Sequence, residues 1–107
     1  MSRGTDRLDL PAGWCTYILL CADGSYYCGI TSNLSRRLKH HAKGKGGKYT
    51  KEIKPAALAW YQSFENRAGA ARRERQIKNW SHRKKVGLVR GDARFDGLGT
   101  RVWVPLG

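Results

Sequence analysis

The chain has 107 residues, enough for one compact domain but not for a catalytic domain joined to a separate recognition domain. Hydrophobic residues make up 40% of it, which allows a core and argues against global disorder. The 21 lysines and arginines against 8 acidic residues give a net charge of +13. Such self-repulsion is typical of proteins that bind a polyanion, and nucleic acid is the first candidate. The alternatives are a charge that only keeps the protein soluble and a non-catalytic, ribosome-associated binder.

The positive charge is concentrated in two segments. Residues 36–54 contain eight lysines and arginines and one acid, Glu52, whereas residues 67–90 contain nine and one acid, Glu74. Lysines in the first segment would hold a nucleic-acid backbone without reading its sequence. The predicted nucleic-acid contacts are Arg36, Lys43, Lys45, Lys48, Lys51 and Lys78.

Cysteine usage and hydropathy narrow the class of protein further. The three cysteines, Cys15, Cys21 and Cys28, lie in apolar segments without a CxxC pair, so neither a disulfide framework nor a zinc site is predicted. A reducing cytoplasm fits this usage. The first ten residues are polar and no apolar run approaches membrane-spanning length, so we expect neither a secretory signal nor a membrane span.

The first half of the chain predicts a hairpin followed by a helix. Residues 1–12 are charged and read as a flexible leader. Residues 14–20 and 26–30, rich in aromatic and branched side chains, flank Asp23-Gly24 and predict two antiparallel strands. Ser32 or Asn33 then caps a helix over residues 34–43.

The second half predicts one more strand and two more helices. The strand covers residues 57–64, the helices residues 66–80 and 83–89. We therefore expect an α/β domain over residues 13–90, with a three-stranded, mostly antiparallel sheet flanked by about three helices. Residues 91–107 are either a disordered tail or a late edge strand.

One acidic residue stands out in the second predicted helix. Glu74 lies four residues after Ala70 and three before Ile77, which predicts a carboxylate on the buried stripe. A carboxylate there needs a partner. That partner is either a cation of the chain, Lys78 or Arg67, or a bound metal ion, since hard cations prefer carboxylate oxygen.

Two further pairs are candidates for chemistry. Arg37 and His41 are four residues apart on one helix face, where both can address one phosphate. Tyr17 and Tyr27 lie on adjacent strands. A two-residue turn at Asp23-Gly24 would set the tyrosines on opposite faces of the sheet, whereas a three-residue bulged loop would set them on the same face.

These residues together resemble the GIY-YIG nuclease family, in particular its small stand-alone bacterial branch. Cys15-Thr16-Tyr17 stands where the family has Gly-Ile-Tyr, and Tyr27-Cys28-Gly29 where it has Tyr-Ile-Gly. The segment from Asn33 through Arg37 to His41 matches the first helix, GKGGKYT (44–50) the loop of the small branch, and Glu74 with Ile77-Lys78 the metal-binding helix.

The resemblance implies a metal-dependent endonuclease that hydrolyses phosphodiester bonds in DNA and is structure-selective in repair or recombination. It implies that Tyr17 and Tyr27 line the site, that one of them deprotonates the attacking water, and that Glu74 holds one Mg²⁺ or Mn²⁺. Arg37 would neutralise the phosphate, while His41 would hydrogen-bond the phosphate or the water. We expect all five side chains to meet in one basic cleft.

Two other functions compete with this interpretation. A catalytically silent module would keep the basic face and act as a DNA or RNA adaptor, with Trp60 and Tyr61 the candidates for base stacking. A nuclease subunit activated or targeted by a protein partner would keep the site. The intact tyrosines, arginine and glutamate favour an enzyme over an adaptor.

Overall fold

The computed structural model describes residues 10–43, 54–91 and 98–106, which form an α/β fold. Its elements in chain order are β1 (Cys15–Cys21), β2 (Tyr26–Thr31), α1 (Leu34–Ala42), β3 (Pro55–Ser63), α2 (Arg67–Lys78), α3 (His82–Arg90) and β4 (Thr100–Pro105). The predicted hairpin, third strand and three helices are confirmed, with shifts of one or two residues at their ends. Residues 1–9 of the leader predicted over residues 1–12 lie outside the described residues. The last three residues of the leader are described, and Leu10 among them packs against the core.

The sheet has four antiparallel strands in the order β2-β1-β3-β4, so the prediction of three strands is wrong by one. The fourth strand comes from the tail, where Leu58 of β3 pairs with Val104 of β4. Val104 is buried in the core, which adds hydrophobic stabilisation to the strand pairing. As a result, β2 and β4 form the two edges of the described sheet.

The β1–β2 hairpin turns through a three-residue loop. The Cys21 amide donates to the Ser25 carbonyl at 2.8 Å, and Gly24 adopts the left-handed conformation with φ of 88°. Asp23 Oδ1 accepts from both the amide and the hydroxyl of Ser25, at 3.0 and 2.6 Å. The loop sets the register that pairs Tyr17 with Gly29, so Tyr17 and Tyr27 share one face of the sheet.

Helix α1 covers that face. Leu34 and Leu38 pack there against Cys15, Leu19 and Leu58. Asn33 rather than Ser32 is the N-cap, since its side chain accepts from the Arg36 amide. The cap and the two leucines orient α1 so that His41, one turn after Leu38, is also buried over β1.

Helices α2 and α3 cover the opposite face. Ile77 of α2 and Leu88 of α3 pack there against Ile18, Cys28 and Trp60. The caps are side-chain acceptors of the predicted kind: Asn66 for α2 and Ser81 for α3. The four-stranded sheet is thus enclosed between one helix and two, and none of the helices in the described part of the chain is long and apolar enough to cross a membrane.

Candidate active site

The core of the site is a hydrogen bond between two buried side chains. The Tyr17 hydroxyl lies 2.7 Å from His41 Nε2, and both residues are 1% exposed. Tyr17 comes from the middle of β1 and His41 from the last turn of α1, 24 residues apart in sequence. In the tautomer in which Nε2 accepts from the phenol, Nδ1 carries the imidazole proton. Within the described residues, Nδ1 has no hydrogen-bond partner.

Tyr27 completes a cluster of three rings. Its ring centroid lies 6.3 Å from that of Tyr17 and 5.3 Å from that of His41. Tyr27 is half-buried, so it is the ring of this cluster that reaches solvent. Gly29 makes the close packing possible, since a Cβ there would lie 2.7 Å from the Tyr17 hydroxyl. The structure therefore brings the two predicted tyrosines together, through the three-residue loop.

Burial and charge keep the Tyr17–His41 pair neutral. Removal from water, together with the neighbouring Tyr27, raises the pKa of Tyr17 well above its usual value, although the Arg37 charge lowers it. Burial, with smaller contributions from Arg37 and His40, lowers the pKa of His41 to about 4. The proton therefore stays on the Tyr17 oxygen at neutral pH, and the imidazole accepts the hydrogen bond without becoming charged.

This pKa shift makes stability depend on pH. Because His41 titrates near pH 4 in the fold but near 6.5 in the unfolded chain, its contribution is complete above pH 6.5 and is lost as the pH falls toward 4. The free energy of unfolding should drop by about 2 kcal/mol between pH 7 and 4.5 on this account. Urea unfolding of the wild type and of His41→Gln at several pH values gives the slope of unfolding free energy against pH for each protein. The difference between the two slopes is the contribution of His41.

His40→Gln is the matched control, since His40 is exposed on the same helix turn. It should retain most of the wild-type dependence of unfolding free energy on pH, because His40 is the smallest of the three causes that lower the pKa of His41. An equal slope for wild type and His41→Gln would show that burial does not hold this imidazole neutral.

Arg37 lies next to the ring cluster. It projects from the first half of α1, is half-buried, and its charge acts on both Tyr17 and His41. Four of the five residues expected in the site, Tyr17, Tyr27, Arg37 and His41, thus lie on one side of β2. A guanidinium there can pair with two oxygens of one phosphate.

Glu74 approaches the same strand from the other face of the sheet. It lies on α2, and its charge raises the pKa of the Cys28 thiol, which burial brings to about 12. Cys28 is the residue between Tyr27 and Gly29 and packs on the α2 side, so Glu74 and the tyrosine cluster lie on opposite sides of edge strand β2. The expectation that all five side chains meet in one cleft on a sheet face is therefore wrong for Glu74, because α2 covers the face opposite α1. The carboxylate pairs with Lys78, whose Nζ lies 3.3 Å from Oε2.

The predicted position of Glu74 on the buried stripe needs a correction. The buried residues of α2 are Ala70, Arg73 and Ile77, and Glu74 lies at their border with its side chain 24% exposed. The spacing of three and four residues from its apolar neighbours allowed either Arg73 or Glu74 to face inward. Arg73 faces the sheet, because its guanidinium donates hydrogen bonds to two glutamines and lies against two tryptophan rings.

Arg73 was missed by the sequence interpretation. Its Nε donates to Gln62 Oε1 at 3.0 Å and its Nη1 donates to Gln76 Oε1. Its guanidinium lies 5.6 Å from the Trp60 ring and 5.3 Å from the Trp80 ring. The two tryptophans could have indicated a cation–π partner for a nearby arginine. Which arginine they contact depends on the packing of α2 against β3.

The donor set is compatible with one hard divalent ion. The described residues hold no group of three or more histidine, cysteine or acidic side chains that could form an all-protein cage. Mg²⁺ needs no such cage, because it keeps several waters and is commonly bound through one or two carboxylates plus substrate phosphate oxygens. The single, partly exposed carboxylate of Glu74 fits that mode.

The predicted nucleic-acid contacts are only partly within the described residues. Arg36 and Lys43 are exposed on α1, and Lys78 is exposed on α2. Lys45, Lys48 and Lys51 lie outside the described residues. The described basic surface therefore includes both the α1 side and the α2 side of the sheet.

A family model described as the GIY-YIG catalytic domain matches residues 13–86, which is more than half of the chain. The chain belongs to the GIY-YIG family. The GIY-YIG domain is a nuclease domain that acts on DNA, and nucleases of this family generally use divalent metal ions. The family resemblance inferred from the motifs is confirmed.

Bacterial relatives match most of this GIY-YIG chain. A UPF0213 protein of Vibrio cholerae is 38% identical over 91 residues, which cover 84% of this chain and 90% of that one. A UPF0213 protein of Halalkalibacterium halodurans is 47% identical over 73 residues, 68% and 78% of the two chains. A solution NMR structure of a UPF0213 protein from Bacillus halodurans is 41% identical and covers 72% of this chain and 82% of that chain, with a TM-score of 0.46.

The departures from the GIY-YIG triplets are accommodated by packing. Thr16 replaces the isoleucine, and its buried hydroxyl donates to the Ala70 carbonyl at 2.7 Å. This hydrogen bond ties β1 to α2 one turn before Glu74. Cys15 and Cys28 are buried and their thiols are free, and burial raises the pKa of both. They act as small core residues rather than nucleophiles.

Proposed function

We propose that this GIY-YIG domain is a metal-dependent endonuclease that cleaves DNA at the edge of strand β2. The observation that carries the proposal is the buried Tyr17–His41 hydrogen bond beneath Tyr27, with Arg37 beside it. Phosphodiester hydrolysis needs an oriented water, neutralisation of the phosphate and stabilisation of the leaving oxygen. The residues around this strand supply a group for each need.

Tyr27 is the tyrosine that we assign to the attacking water. Tyr17 is buried and holds its proton in the hydrogen bond to a weakly basic imidazole, whereas Tyr27 reaches solvent from the same ring cluster. Tyr27 is therefore placed to hydrogen-bond the attacking water, and Arg37 lies on the same side of β2 to bind the phosphate that this water attacks.

Tyr17 and His41 lie beneath Tyr27 and position it. His41 acts through its hydrogen bond to Tyr17 rather than by touching substrate, because its ring is 1% exposed and Nδ1 is buried away from solvent. Arg37, half-buried beside the rings, pairs with the phosphate and neutralises its charge.

Glu74 is the residue that would hold the metal ion. A divalent ion bound there supplies positive charge to the phosphate and to the leaving oxygen. The partial burial of the carboxylate limits its movement, and Thr16 fixes the helix that carries it through the hydrogen bond to Ala70. Glu74 and Tyr27 then act on one phosphodiester from the two sides of β2.

The burial of Trp60 counts against the adaptor alternative. Trp60 is 1% exposed, and its indole Nε1–H donates to the Leu98 carbonyl at 3.0 Å. It is therefore a core residue and not available to stack on a nucleobase. A stacking platform built on Trp60 and Tyr61 is not what this sheet presents.

Cleavage assays on phenylalanine variants test the assignment of the two tyrosines. Tyr27→Phe removes the group that meets the water, so its cleavage rate with Mg²⁺ should fall by more than about a hundredfold. Tyr17→Phe leaves Tyr27 in place, so its cleavage rate should fall by only roughly tenfold. A larger loss for Tyr17→Phe would assign the water to Tyr17. If the wild type alone cleaves no DNA, the stand-alone enzyme is refuted, and the partner-activated subunit and the silent adaptor are left.

DNA binding should be mainly electrostatic. If about five phosphates are neutralised by lysines and arginines, the logarithm of affinity should fall with the logarithm of salt concentration with a slope of roughly −4 to −5. Fluorescence anisotropy of unrelated duplexes at several salt concentrations measures this. A flat salt response, or tight binding confined to one short sequence, would contradict a backbone-binding surface.

A further inference from the structure

The ion pair between Glu74 and Lys78 occupies the carboxylate assigned to the metal. Lys78 lies one turn after Glu74, with 3.3 Å between Nζ and Oε2. Among the described residues, it is the ion pair that Glu74 makes. A lysine at this distance opposes the binding of a divalent cation to the same carboxylate, because the two positive charges repel.

The two partners differ in freedom. The Glu74 side chain is 24% exposed, whereas Lys78 is 55% exposed. The ammonium of lysine sits on a flexible four-carbon stem, so it can move several ångströms by rotamer changes. An exposed pair of this kind contributes only about 0.2–1 kcal/mol, so a doubly charged ion can displace the lysine.

Both partners lie against the strand that bears the tyrosine cluster. The pKa of the Cys28 thiol is raised by Glu74 and lowered by Lys78 and Lys85, so all three charges act at this position of β2. Tyr27 precedes Cys28 in the chain. Ile77, the residue before Lys78, packs in one cluster with Cys28, so Lys78 extends from the turn of α2 that lies against this edge strand.

We propose that Lys78 holds the Glu74 carboxylate in the metal-free protein and transfers to a DNA phosphate when the metal ion binds. The proposal rests on the metal assignment under Proposed function. Metal and DNA then bind cooperatively: the ion releases the lysine, the phosphate receives it, and each event lowers the cost of the other. Lys78 is in this view a positioning residue that links the two ligands.

The direct test is a titration of the protein with Mn²⁺ in the absence of DNA. Electron paramagnetic resonance measures the concentration of free ion at each step. Lys78→Met removes the ammonium and keeps most of the stem. Lys39→Met is the control, since Lys39 is exposed on α1 over the other face and its loss changes the net charge equally. Lys78→Met should bind Mn²⁺ about three- to fivefold more tightly than Lys39→Met, the effect of one exposed ion pair.

A second measurement tests the transfer to DNA. Anisotropy of a labelled duplex, with Tyr27→Phe in every protein to prevent cleavage, gives DNA affinity with and without Mn²⁺. The gain on adding Mn²⁺ should be about threefold smaller with Lys78→Met than with Lys39→Met. Equal gains for the two would overturn the transfer.

The outcomes separate this inference from the metal assignment. If Glu74→Gln binds Mn²⁺ as the wild type does, the ion lies elsewhere, and the metal assignment fails together with the inference. If Glu74→Gln loses Mn²⁺ but Lys78→Met and Lys39→Met bind it equally, the metal assignment stands and the role of Lys78 is refuted.

Discussion

Glu74→Gln should abolish DNA cleavage while leaving DNA affinity equal or tighter. The amide keeps the shape of the side chain but removes the negative charge that a divalent ion requires. Loss of one preorganised charge of this kind costs at least about a hundredfold in rate. Binding is not weakened, because the substitution makes a chain of net charge +13 more positive. Single-turnover cleavage with Mg²⁺ and anisotropy without metal measure the two quantities.

Glu65→Gln is the control for this substitution. Glu65 is an exposed acid just before α2, so its amide variant has the same net charge and leaves the β2 edge intact. It should cleave at the wild-type rate, and its DNA affinity should not exceed that of Glu74→Gln, in which Lys78 is also released from its ion pair. A Glu74→Gln protein that is folded and cleaves within about tenfold of Glu65→Gln would remove Glu74 from the reaction.

The sequence predicted most of the fold because its local signals agree with one another. The caps at Asn33, Asn66 and Ser81 all lie where a polar residue precedes a helical pattern, and each accepts from an amide in the first turn. The fourth strand could not be decided from its own residues. Its pairing with β3 depends on contacts between Leu58 and Val104, 46 positions apart in the chain, and no local pattern encodes such a pairing.

The relative position of the tyrosines was undecided for a different reason. Asp23-Gly24 is compatible with a two-residue turn and with a three-residue loop, and the two differ by one residue in register. The side chain of Asp23 favours the longer loop by accepting two hydrogen bonds from Ser25. The identity of the site residues was therefore readable from motifs, while their shared face depended on one turn.

The prediction that Glu74 faces inward on α2 was wrong, because two charged residues competed for one helix face and Arg73 is buried there instead. Arg73 and Glu74 are adjacent, and either can lie near the stripe of Ala70 and Ile77. The choice follows from partners brought by other elements, Trp60 from β3 and Trp80 from the turn after α2. Burial of Arg73 places Glu74 at the border of the helix face, where its carboxylate remains accessible to an ion.

Arg73→Lys should therefore lower the free energy of unfolding by about 2–3 kcal/mol, although it keeps the charge. A lysine cannot donate to Gln62 and Gln76 at once in the planar geometry of a guanidinium, nor stack between two rings. The loss combines the hydrogen bonds to Gln62, which is half-buried, and Gln76, which is exposed, about 0.5–1.5 kcal/mol, with cation–π contacts worth about 0.5–2 kcal/mol. Urea unfolding of Arg73→Lys and of Arg72→Lys measures it.

Arg72→Lys is the neighbouring substitution of the same kind at an exposed position, and it should change stability by less than about 0.5 kcal/mol. Arg73→Met adds a second distinction, because a methionine fills part of the space without a charge. If Arg73→Met is as stable as the wild type, the guanidinium contributes no net stabilisation, and apolar packing alone orients α2. If both Arg73 variants lose stability and cleavage falls further than the folded fraction does, the arginine also sets the position of Glu74 at the β2 edge.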